Sequence, residues 1–192
     1  MNFVNVLWAQ STAKPVAAPV PLAPELAVKE PPVVLYTDGG CDLKRHGLGA
    51  CAWAATYPGE VVPEYGVEAV LGTTNNRLEL RAALLGLQSI APGPPVILNS
   101  DSKYVLDGLR VWSKGWIERG WTTRDGEPLK NRDLWEPLIA LAAMHDLSLV
   151  HVKGHSGVAA NEFVDKLCTN AMNDLFQRWT NGEKAAFDKV AA

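Results

Sequence analysis

Asp38 ends a short run of β-branched and aromatic residues, Val33-Val34-Leu35-Tyr36-Thr37, and is followed at once by Gly39 and Gly40. The run reads as a buried strand. A carboxylate at its end is costly to bury unless a cation or hydrogen bonds compensate it. Asp38 is therefore either a metal ligand or the acid of a sharp turn, which the two glycines would permit while letting a bulky ligand come close. The same theme returns in Pro95-Val96-Ile97-Leu98-Asn99-Ser100-Asp101, an apolar strand running into a carboxylate. Two such aspartates side by side need a cation between them or a raised pKa. Glu79 and Asp165 are further acids on helical segments, and taken singly an acid on a helix flank is usually just solvated.

Several elements must bring these acids together. Strand-like runs at residues 50–56 and 68–71 flank a turn at Pro58-Gly59 and suggest, with the first strand, an antiparallel meander. Residues 73–76 supply capping side chains ahead of a helix opening at Arg77, whose apolar stripe is Leu80, Ala83, Leu84 and Leu87. Glu79 falls beside that stripe. A strand after this helix favours a parallel crossover back into the sheet. Asp133-Leu134-Trp135-Glu136 reads as a capping box, with Pro137 tolerable in the first turn. Residues 147–152 form a last strand, and Lys153-Gly154-His155-Ser156-Gly157 a glycine-flanked loop. The final helix begins near Ala160, its apolar pairs on one face and Asn161, Asp165 and Thr169 on the other.

Residues 108–132 interleave Trp112, Trp116 and Trp121 with six basic side chains, opposed by Glu118, Asp125 and Glu127. Flat aromatics among cations suit a nucleic-acid backbone and its sugars; the competing reading makes the tryptophans core anchors. The whole chain carries a formal charge of −3, so any attraction to nucleic acid is local. Residues 1–31 alternate Pro, Ala and Val and read as a flexible tail, followed by a catalytic domain over 32–181 and a short tail over 182–192. Cys41, Cys51 and Cys168 show no paired spacing, which fits a reducing, cytoplasmic compartment rather than a disulfide framework. No basic residue precedes the weakly apolar start, so no secretory signal is expected, and no apolar run is long enough to span a bilayer.

Four strings in order resemble type 1 ribonuclease H: Tyr36-Thr37-Asp38-Gly39-Gly40-Cys41, Thr74-Asn75-Asn76-Arg77-Leu78-Glu79-Leu80, Ser100-Asp101-Ser102-Lys103-Tyr104-Val105, and Val152-Lys153-Gly154-His155-Ser156-Gly157 with the following Asn161-Glu162 and Asp165. The resemblance covers residues 32–179. It implies an α/β fold, a mixed five-stranded sheet of antiparallel meander plus parallel strands flanked by helices. It also implies a monomeric endonuclease that hydrolyses the RNA strand of RNA·DNA hybrids and leaves 5′-phosphate and 3′-hydroxyl ends. Two Mg²⁺ ions, with Mn²⁺ as a substitute, would be held by Asp38, Glu79, Asp101 and Asp165, and His155 would assist proton transfer or product departure. Asn75, Asn76 and the backbone of Gly39, Gly40 and Cys41 would read the minor groove. Thr74 and Asn131 would hold a DNA phosphate, and Trp112, Lys114 and Trp116 would line the DNA-strand channel. Gly72 stands where an arginine is common beside that phosphate pocket, which implies a weaker grip on the DNA strand. A non-catalytic hybrid-binding module of the same fold is the alternative, and retention of all four acids argues against it.

Overall fold

Along Val33–Asp42 every second residue is buried through Gly39, the period-two signature of a strand with one face sunk in a core and the other partly covered. A computed structural model describes residues 30–45, 47–154 and 156–183. This strand, β1, lies at the centre of one sheet. It pairs antiparallel with β2 (Leu48–Thr56), which pairs antiparallel with β3 (Glu64–Val70). On its other side it runs parallel to β4 (Val96–Ser100), which runs parallel to β5 (Leu147–His151). The order is β3-β2-β1-β4-β5, the expected mixed sheet of meander plus parallel strands.

Helices cover both faces. α1 (Asn75–Ser89) and α4 (Arg132–Ala142) pack on one, α5 (Ala159–Arg178) on the other. Between β4 and α4 the chain forms α2 (Lys103–Asp107), a π-helical turn Gly108–Trp112 and α3 (Ser113–Glu118). The larger core joins Val33 and Leu35 of β1 to Leu80, Ala83, Leu84 and Leu87 of α1. Trp135 and Leu138 of α4 close it from outside, both fully buried. The second core is thinner. Ala50, Ala52 and Ala54 of β2 meet Val164 and Cys168 of α5, and small residues there let that helix lie close to the strands.

Four local expectations need correction. Gly39 and Gly40 are not a turn: β1 continues through both to Asp42. Gly39 is required instead by contact, since a Cβ on it would sit 2.5 Å from the Glu79 amide nitrogen and 2.7 Å from the Leu78 carbonyl oxygen. β3 begins at Glu64 rather than residue 68, because Tyr65, Gly66 and Val67 continue the ladder with β2. α4 starts at Arg132, capped by Asn131 in a left-handed conformation (φ 59°). The supposed capping box is thus two other contacts, Asp133 with Arg77 and Glu136 with Arg132, and Pro137 is the sixth helical residue. Asn161 does not face solvent; it is 4% exposed. The tails at 1–29 and 184–192 lie outside the described residues.

The two adjacent glycines provide a matched test. A Cβ on Gly40 meets nothing within 4 Å, whereas one on Gly39 strikes the α1 backbone. Gly39→Ala is expected to lower unfolding free energy by about 2 kcal/mol in urea denaturation, the usual cost of overpacking. Gly40→Ala should stay within about 0.5 kcal/mol of the parent, as an open position does. Equal losses would show that α1 does not rest on β1 at this point.

Candidate active site

Parallel register explains the meeting of the two aspartates. β1 and β4 are aligned with Tyr36 beside Asn99 and Thr37 beside Ser100. One step further, Asp38 and Asp101 are therefore neighbours whose side chains leave the same face. Glu79 comes from α1, on the opposite face, and reaches them because Gly39 lets the helix backbone come so close. Carboxylate oxygens of Asp38, Glu79 and Asp101 all lie within 4.8 Å of one another.

Asp165 arrives from the α5 side. The Cys168 thiol donates to the Asp38 carbonyl at 3.6 Å, and Asp165 lies one helical turn earlier on the same helix. Asp165, Asp38 and Asp101 line one small cleft of about 50 Å³ together with Gly154, Asn161 and Glu162. Gly154 lies directly against this group, since a Cβ there would sit 2.7 Å from Asp101 Oδ2. His155, its chain neighbour, lies outside the described residues.

The electrostatics follow from crowding. Burial, followed by the charges of Asp101 and Asp165, pushes the Asp38 carboxyl up to about 6; hydrogen bonds from Cys168 and the Gly39 backbone only partly oppose this. Burial, with Asp101 and Asp38 beside it, pushes Glu79 up to about 9. Glu79 Oε2 is buried with no hydrogen-bond partner. Oxygen-only donors, like-charged and partly unpartnered, are the set that a hard divalent cation satisfies, and among the described residues no nitrogen or sulfur ligand joins the group.

Around this cleft the remaining predicted residues fall into two groups. Asn75 Oδ1 accepts the Cys41 backbone N–H at 2.7 Å, tying the end of β1 to the start of α1. Thr74, the N-cap of α1, and Asn76 are exposed beside it, and Gly40 is half-buried within β1. Asn131 is held rigidly: Arg77 donates to its Oδ1 at 3.4 Å, and its Nδ2 donates to the Tyr104 hydroxyl at 3.2 Å. The Arg77 guanidinium also grips Asp133, at 2.6 and 3.0 Å, and holds that carboxyl below the usual range.

The tryptophan segment divides. Trp116 is 9% exposed and packs 5.0 Å from Trp135, so it is chiefly a core anchor. Trp112, 39% exposed, lies 5.8 Å from Trp116. Both line a groove of about 370 Å³ with Arg119 and Arg124. Lys114 is exposed on α3 between them in sequence. Residue spacing alone does not identify Asn161 or Gly154 as parts of the cleft, or Cys168 as a partner of the Asp38 carbonyl. The available signal was the four-residue step from Asn161 to Asp165, which places both on one helix face; taking that face as solvated hid it.

A family model described as RNase H matches residues 30–173. A ribonuclease H of Acidithiobacillus ferrooxidans is 44% identical over 146 residues, spanning 73% of this chain and 87% of the relative. One from Alcanivorax borkumensis is 40% identical over 145 residues, spanning 74% and 93%. Among solved structures, a type 1 RNase H with the type 2 active-site motif superposes with a TM-score of 0.67 at 28% identity, covering 76% of this chain and 74% of that one. Matches of this length and identity run across every strand of the sheet and all four acid-bearing segments, and the chain belongs to the RNase H family.

Proposed function

We propose that this chain is an endonuclease that hydrolyses the RNA strand of RNA·DNA hybrids, leaving 5′-phosphate and 3′-hydroxyl ends. The observation that carries the reading is the meeting of Asp38, Glu79 and Asp101 within 4.8 Å in a member of a metal-dependent nuclease family. Asp38, Glu79, Asp101 and Asp165 hold the divalent cations, two Mg²⁺ by preference with Mn²⁺ as a substitute. Bound there, the pair supplies charge that activates water and stabilises the leaving 3′ oxygen. The catalytic domain spans 32–181 and acts as a monomer in the cytoplasm.

The chain's own contribution is position and proton control. Asp38 sits on a strand hydrogen-bonded on both sides, so its carboxylate is fixed by the sheet. Glu79 is kept protonated at neutral pH until a cation compensates its neighbours. His155, which follows Gly154 in the chain, assists proton transfer or product departure, a role that imidazole chemistry suits. Thr74 and Asn131 grip a DNA phosphate beside Arg77. Asn75, Asn76 and the backbone of Gly39, Gly40 and Cys41 face the minor groove, where the 2′-hydroxyl separates RNA from DNA. Trp112 and Lys114, with Trp116 behind them, carry the DNA strand.

Three measurements test this reading. Asp38→Asn is expected to reduce cleavage of a labelled hybrid by about 10³-fold or more, as removal of a residue that acts within a unit does; turnover equal to the parent would discard the mechanism. Trp112→Ala with Lys114→Ala should weaken hybrid binding at low salt by about tenfold, the loss of one stacked base and one phosphate contact. Trp112 is the informative tryptophan because truncating the buried Trp116 would damage the core. Unchanged affinity would return the segment to a purely structural role.

The third concerns stability without metal. Glu79 and Asp38 bind protons more tightly folded than unfolded, since their pKa values rise from 4.5 to about 9 and from 3.8 to about 6. The metal-free fold should thus lose stability as pH rises through these windows, with the Glu79 penalty absent below about 4.5 and complete above about 9. Glu79→Gln is expected to stabilise the metal-free protein at pH 9 by on the order of 2 kcal/mol, and by little at pH 5. A gain independent of pH would mean that Glu79 is not held in its acid form by its surroundings.

A further inference from the structure

Asn161 lines the acidic cleft, is 4% exposed, and has no hydrogen-bond partner for its Oδ1. A buried amide oxygen left without a donor destabilises a fold, so natural proteins rarely keep one without a use. Helix capping does not explain it. The N-cap of α5 is Val158, and Asn161 is the third residue of the helix. A side chain there could reach back to the N-cap N–H, but the Asn161 oxygen does not do so. A bond from Oδ1 to a neighbouring element does not explain it either, because that oxygen meets no donor.

The donor must come from within the cleft. Its carboxylates, when ionised, only accept hydrogen bonds and cannot serve Asn161. A water can. The cleft's volume of about 50 Å³ exceeds the roughly 10–15 Å³ that one water requires, and its walls offer several polar partners. Mg²⁺ retains several of its waters when carboxylates bind it, so a hydrated cation brings donors to this spot. An amide accepts from such a water without adding further negative charge beside Asp38 and Asp165.

We propose that Asn161 is a positioning residue of this cleft: its side-chain oxygen accepts a hydrogen bond from a water carried by the cation that the four acids hold. The inference rests on the nuclease reading above and adds a neutral fifth oxygen to it. Asn161 orients that water relative to Asp38 and Asp165, and the oxygen that is orphaned without a cation becomes satisfied with one.

The test uses the full chain, Mg²⁺ itself and two variants. Asn161→Leu keeps the size and removes the acceptor; Asn161→Asp keeps an acceptor and adds charge. Mg²⁺ affinity is read by titration calorimetry, metal-free stability by urea unfolding, and cleavage on a labelled hybrid. Without metal, the Leu variant should be at least as stable as the parent. It should bind Mg²⁺ about tenfold more weakly and lose about tenfold in kcat, with hybrid KM within about twofold, as loss of an outer partner to a metal site does. The Asp variant should keep Mg²⁺ affinity at high pH and lose it more steeply than the parent as pH falls. A Leu variant that binds Mg²⁺ and turns over like the parent overturns the proposal. So does one that loses stability with Mg²⁺ affinity unchanged, which would mark Asn161 as structural, or an Asp variant that binds as poorly as Leu at high pH. A parent that binds Mg²⁺ yet fails to cleave hybrid would instead sink the nuclease reading, and calorimetry alone would then decide the role of Asn161.

Discussion

Carboxylates repel, and burial sharpens the repulsion, so Asp38, Glu79 and Asp101 stay together only because the elements that carry them cannot separate. Asp38 and Asp101 each follow directly on the Thr37–Ser100 pair that ends the parallel ladder of β1 and β4, and that ladder brings them to adjacent places. Glu79 is locked by steric contact: α1 rests on the backbone of Gly39, and its inner stripe is sunk in the larger core. The hydrophobic burial of α1 and α4 thus supplies the free energy that opposes the charge clustering at the sheet's edge. A looser core would let Glu79 swing away and relax the acids, with the loss of a site able to compel a cation to bind.

The two faces of the sheet contribute differently. Under α1 and α4 lie leucines and Trp135, which give bulk and rigidity. Gly108 belongs to this side because a Cβ there would run into the Trp135 ring, so α2 and the wide turn after it are set by one indole. Tyr104 completes the arrangement by accepting from Trp135 Nε1 at 3.0 Å as well as from Asn131. The core is therefore coupled directly to Asn131 and, through it, to Arg77 of α1. Under α5 lie the alanines of β2, met by Val164 and Cys168 of that helix, and these small side chains give closeness instead. Alanines bury little area each, but they let a helix approach near enough for Asp165 to share the cleft of Asp38. Function on that side is set by small side chains rather than by packing strength.

Much of this was legible in residue order. The strand at Asp38, the helix stripe of Leu80, Ala83, Leu84 and Leu87, and the parallel return through residues 96–100 all follow from periodicity, and all are found. What failed was decided by partners that the local pattern does not display, most of them distant in the chain. Gly39-Gly40 has the local look of a turn, and only the arrival of Leu78 and Glu79 from α1 makes it a strand with a helix lying against it. Asp133 and Glu136 have capping-box spacing, but Arg77 and Arg132 claim them, and Asn131 in a left-handed conformation starts the helix. Trp112 and Trp116 are indistinguishable as letters; their exposures differ because only Trp116 meets Trp135.

The unmet polar groups carry the argument one step further. Among the described residues, the buried side-chain oxygens without partners are Thr37 Oγ1, Glu79 Oε2 and Asn161 Oδ1. Thr37 precedes Asp38 in β1, Glu79 belongs to the carboxylate group, and Asn161 lines the cleft. Elsewhere polar groups are matched, down to Asn99, whose amide donates to the Leu35 and Ile97 carbonyls inside the sheet. Two of these three oxygens, those of Glu79 and Asn161, belong to the acidic site itself. Local inconsistency concentrated where chemistry is expected is the pattern of a site whose remaining partners arrive with its ligands. The destabilisation that these oxygens cause in the empty fold is the same free energy that a hydrated cation recovers on entering.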